Sequence, residues 1–96
     1  MYKCQFPGCE YETRYRSQIN FHHIVPQEDV NTSNKSWNLI CLCPSHHTKI
    51  YIPSASSGIH TVRGDDSIIL KRWMQSTGGR VLEYIDIDGN VCYQNY

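Results

Sequence analysis

Residues 38–47, NLICLCPSHH, decide how this chain is to be read. Leu39, Ile40, Cys41 and Leu42 form a short apolar run of the kind that builds a strand. Pro44 suits the first turn of a helix, where its missing N–H costs nothing. A strand therefore runs directly into a helix, with Cys43 at the corner. Pro53 limits that helix to about two turns. Cys43 and His46 stand three apart at the helix start, so both can face one ion. Successive helical residues differ by about 100° around the axis, which leaves His47 facing elsewhere.

Working outward, residues 4–9, CQFPGC, place Pro7-Gly8 between two cysteines, turn chemistry that folds both sulfurs inward. Cys4, Cys9, Cys43 and His46 make a candidate Cys3His structural zinc site. Cys41 competes with Cys43 for the metal, but Cys43 lies at the turn, nearer His46. Cys92 reads as an ordinary strand residue. Five cysteines cannot complete a disulfide framework. The opening Met1-Tyr2-Lys3-Cys4 resembles no secretory leader, so a reducing cytoplasm and metal ligation are expected. A chain of 96 residues with a tyrosine-rich apolar fraction of 40% needs such a staple.

A second set of residues carries chemistry. Residues 19–25 read as a strand ended by Pro26, so His22 and His23 point to opposite faces. Residues 27–36 form a polar loop, and 37–43 the second strand of a hairpin-like pair. Cutting a phosphodiester needs a base to activate water and a cation to stabilise charge on phosphate and leaving oxygen. His23 is the candidate base, since an imidazole can take up a proton near neutral pH. His22 and His47 are candidate ligands of a catalytic ion. Asn38 is a brace whose amide can pin the loop that orients the base. Taken singly, each has a plain alternative as a packed histidine or a turn asparagine.

The segments HHIVP and NLICLCPSHH resemble the two signature stretches of the HNH endonucleases, and CQFPGC is similar to the zinc knuckle many members carry in front. The resemblance covers residues 3–52. It implies a ββα-metal core with a zinc knuckle; with a helix and a C-terminal β-hairpin read over 53–96, the expected fold is α+β, all one domain. It further implies His23 as general base and His22 where relatives often have aspartate. Asn38 is then the motif asparagine, and His47 the final histidine and metal ligand. One divalent ion (magnesium, manganese, nickel or zinc) and 5′-phosphate products follow. The chain departs at Tyr51, where many members have a histidine or asparagine; His60 is one candidate substitute. His46 stands where relatives usually have cysteine.

Elsewhere, 11–16 is a weak strand and 54–64 a polar loop. A helix is expected over 67–76, capped by Asp65 or Asp66 and ended by Gly78-Gly79. Strands over 81–87 and 91–96 flank Asp88-Gly89, a two-residue hairpin signal. Nine basic and nine acidic side chains balance to zero, so phosphate attraction must be local. Lys49, Lys71 and Arg72 are candidate contacts to DNA backbone. No apolar run approaches the ~20 residues needed to cross a bilayer. The expected activity is hydrolysis of double-stranded DNA, with a homodimer or partner protein supplying any high specificity. By analogy the source is a bacterium or phage. The alternative is a non-catalytic, zinc-stabilised nucleic-acid-binding module.

Overall fold

Tyr2–Lys3 (β1) pairs antiparallel with Glu12–Thr13 (β2), and the loop between them carries Cys4 and Cys9. Asn20–His23 (β3) pairs antiparallel with Leu39–Leu42 (β4), with His22 opposite Ile40 and His23 opposite Leu39. The only α-helix, Pro44–His47 (α1), follows β4 and packs against β3. Three strands complete the chain: Ile69–Ser76 (β5), Gly79–Ile85 (β6) and Val91–Asn95 (β7), in antiparallel order β5-β6-β7. The structure is a computed structural model and describes residues 1–96. One short helix with three small antiparallel sheets makes an α+β protein. The chain divides into two compact units, Met1–His47 and Thr48–Tyr96. No helix is long and apolar enough to cross a membrane.

In the first unit Ile40 and Leu42, two apart on one face of β4, are buried, and so is Ile19, just before β3. Trp37 lies outside the strand, in a 3-10 turn over Ser36–Asn38. The expected strand over 11–16 shrinks to the two residues of β2.

The helix after Pro44 makes one turn, not two. Ile50 and Ile68 form a parallel bridge: Ile68 N–H donates to the Lys49 carbonyl, and Tyr51 N–H to the Ile68 carbonyl. Thr48, Ile50 and Ile52 are β-branched, so an extended course costs them little and an interior helical position more.

The helix expected over 67–76 is absent; that segment is β5. Two of its apolar residues, Leu70 and Trp73, share a face although they stand three apart, a spacing that mimics a helix. The cause is a bulge, not a helix. Leu70 pairs with Tyr84 and Arg72 with Glu83, so Lys71 is an extra residue that shifts the phase of the two-residue alternation. Gly78 then belongs to the tight turn into β6, and Gly79 (φ +140°) opens that strand. A Cβ on Gly79 would stand 2.5 Å from the Tyr96 carbonyl oxygen. Asp88-Gly89 marks a turn, but the connection is longer than two residues. Gly89 N–H donates to the Asp86 carbonyl and Asp86 N–H to that of Asn90, with Gly89 at φ +87°. The Asp86 carboxylate accepts the N–H groups of Asn90 and Asp88, which hold its pKa below the usual range.

Leu82, central in β6, is fully buried. Leu82→Ala should cost about 2–5 kcal/mol, read as a lower urea midpoint at unchanged slope.

Candidate functional site

The knuckle loop is built by backbone pairing. Cys4 N–H donates to the Tyr11 carbonyl, Cys9 N–H to that of Phe6, and Gly8 turns the chain at φ +84°. Gln5, which the sequence did not single out, clasps the loop to β4. Its N–H donates to the Cys41 carbonyl at 2.7 Å, and its Oε1 accepts the Cys41 N–H at 2.9 Å. This brings the donor atoms of Cys4, Cys9, Cys43 and His46 within 4.8 Å of one another.

His46 Nδ1 lies 3.4 Å from the Cys43 sulfur and 3.9 Å from that of Cys4. A tetrahedral zinc, with Zn–S about 2.3 Å and Zn–N about 2.1 Å, sets such donors roughly 3.6 Å apart. Cys43 N–H points at the Cys4 sulfur (3.2 Å) and Tyr11 N–H at that of Cys9 (3.5 Å), the bonds that stabilise bound thiolates. The Phe6 ring stacks on His46 at 4.2 Å, with the planes 5° apart, and so fixes the imidazole's orientation. These four residues could hold a metal ion such as zinc. Without an ion, burial pushes the Cys4 thiol up to about 12, against the opposing backbone N–H groups. Metal uptake must therefore displace a proton and weakens as the pH falls.

All five cysteines are free thiols. Cys41 stands outside the cluster, and burial raises its pKa.

His46 and His47 diverge around α1. His47 Nε2 meets His22 Nδ1 at 3.3 Å, with ring centroids 5.2 Å apart. His22 is 8% exposed, on the face of β3 against which α1 packs. One ring nitrogen from each residue thus converges in a partly buried place, a pair suited either to a shared proton or to a metal ion. His60, in the second unit, donates from Nδ1 to the Ile50 carbonyl at 2.8 Å. Tyr51 lies beyond α1 in extended chain, with the Arg63 guanidinium over its ring at 5.1 Å.

His23, on the opposite side of β3, is half-buried. Its Nε2 lies 2.7 Å from the amide oxygen of Asn34. Asn38 makes no hydrogen bond to His23. It is wholly buried and ties down the loop between β3 and β4: Oδ1 accepts the Val25 N–H, and Nδ2 donates to Val25 O, Ser33 O and Thr32 Oγ1. Asn34, one polar residue among many in that loop, carried no mark in the sequence that could single it out.

The expected phosphate contacts are distributed differently. Lys49 pairs with Asp66 at 3.1 Å, and Arg72 with Glu83 at 3.1 Å. Lys71 is exposed, at the bulge of a strand instead of on a helix. Asp66, expected to cap that helix, serves as an ion-pair partner.

Compared with models of known families, with curated proteins and with solved structures, the chain matches none.

Proposed function

We propose that the chain is a metal-dependent endonuclease of the HNH type, hydrolysing phosphodiester bonds of double-stranded DNA in a cytoplasmic setting. The observation that carries this is the meeting of His22 and His47 at 3.3 Å, with His23 next in sequence on the other side of the same strand. In this reading β3, β4 and α1 are the ββα-metal core and the Cys3His site is its zinc knuckle. His23 takes a proton from the attacking water, a role that needs a neutral ring nitrogen and contributes about 10²–10⁴-fold. A divalent ion at His22 and His47 (magnesium, manganese, nickel or zinc) would stabilise the negative charge on the phosphate and the leaving oxygen. Asn38 acts on His23 at a distance, by holding the loop beside it. Lys71 is the exposed cation suited to a DNA phosphate.

The test is to incubate purified protein, stripped of loosely held metal, with supercoiled plasmid and each of the four ions. Nicking or linearisation that depends on the added ion supports the reading, and a chain that keeps its zinc yet cuts with none of them sinks it. His47→Ala should abolish nicking and lower total metal from about two equivalents to about one. Retention of both equivalents would remove His47 from the ligand set.

The second reading, a zinc-stabilised module that binds nucleic acid without cutting it, is favoured by Tyr51. Its position lies off the helix, and its ring is covered by Arg63. Plasmid shifted in a gel by an intact chain that never cuts it would establish that reading.

A further inference from the structure

We propose that Asn34 is the positioning residue of His23, setting which ring nitrogen carries the lone pair, and that Asn38 acts on the site through it. This deepens the nuclease reading and rests on it. An imidazole on a strand can rotate and can exist in two tautomers, and only one presents its lone pair to water in a fixed direction. The Asn34 amide oxygen accepts only, and at 2.7 Å from His23 Nε2 it requires the proton there. The lone pair is then on Nδ1.

The two residues are eleven apart in sequence, so the contact depends on how the loop folds back. Both chain neighbours of Asn34 are anchored to the same buried residue. The Ser33 carbonyl accepts from Asn38 Nδ2 at 2.9 Å, and the Lys35 carbonyl accepts the Asn38 N–H at 2.9 Å. The Ser33 hydroxyl also accepts the Lys35 N–H at 3.0 Å, bracing the backbone across Asn34. Thr32 Oγ1 donates to the Val25 carbonyl at 2.8 Å, closing the loop at its other end. Asn34 itself is exposed, and its side chain makes this one hydrogen bond. An exposed amide on a pinned backbone, aimed at an imidazole, is a device for orientation; as packing it would contribute little.

The experiment uses the full chain loaded with zinc, comparing wild type, Asn34→Leu and Asn34→Asp. Nitrogen-15 NMR of the His23 ring should show Nε2–H in wild type. Asn34→Asp keeps an acceptor and should keep that tautomer, whereas Asn34→Leu should show a mixture. In plasmid nicking with added Mn²⁺, Asn34→Leu should lower kcat about 10- to 100-fold with KM unchanged. Asn34→Asp should recover most of that loss. Equal zinc content across the variants separates positioning from misfolding. A wild-type ring protonated on Nδ1, or Asn34→Leu with the wild-type tautomer and kcat, overturns the proposal. If no variant cuts DNA with any ion, the nuclease reading is lost, and the tautomer comparison alone decides whether Asn34 holds the ring.

Discussion

With zinc as the ion of the Cys3His cluster, Cys9→Ala should lose that metal and with it the folded structure of residues 1–47. The first unit has little else to hold it: its strands are two and four residues long, and its one helix is a single turn. A helix of that length has no stability of its own in water. A structural zinc contributes about 10–16 kcal/mol of apparent binding free energy, all of it coupled to folding. Net stability of a domain is about 5–15 kcal/mol, so loss of the ion exceeds what remains. The Cys3His cluster joins the loop between β1 and β2 to the start of α1, 34 residues later between Cys9 and Cys43. Amide dispersion over residues 2–47 and bound zinc measured by mass spectrometry are the readouts, and a strong chelator should reproduce the effect in wild type. Cys41→Ala is the control, because Cys41 lies outside the donor cluster and its loss should leave zinc in place. A Cys9→Ala chain with full zinc and unchanged spectra would mean that the cluster is only a packed group of thiols.

On the proposed nuclease reading, His23→Ala should do the reverse, leaving the fold and the metal content intact while cleavage falls about 10²–10⁴-fold. The ring is half-buried, and its hydrogen bond to Asn34 is exposed, so its removal costs little stability. It also lies on the side of β3 away from the His22–His47 pair, so ion binding there is unaffected. Plasmid nicking, metal content and thermal midpoint measured on one preparation separate these effects. A His23→Ala chain that nicks at the wild-type rate would eliminate His23 as the base.

The clustering of the donor residues was legible because each part of it is local. Two cysteines around Pro7-Gly8 form a loop whatever surrounds them, and Cys43 with His46 share one side of a helical turn by spacing alone. Adjacent His22 and His23 diverge because strand alternation is a property of the backbone. The placing of His46 with the sulfurs and His47 with His22 follows from the same kind of rule. β5 was misread for an equally local reason. A single bulge residue, Lys71, puts Leu70 and Trp73, three apart, on one face of the strand, and composition alone does not distinguish that spacing from a helix. The Asp88-Gly89 turn was located correctly, but its length depends on Asp86 capturing two backbone N–H groups.

What the amino-acid order determined by itself was therefore the pairing of donor residues: three cysteines with His46, His22 with His47, and His23 turned away from both. Only the tertiary structure decided that Gln5 clasps the knuckle to β4, that Ile50 leaves the helix to bridge Ile68, and that Asn34 returns to His23. The physical reason is sequence separation. Turn and strand geometry act over a few residues and leave a periodic mark in the chain. Contacts made by loops folding back depend on which buried polar group, here Asn38, gathers their backbone.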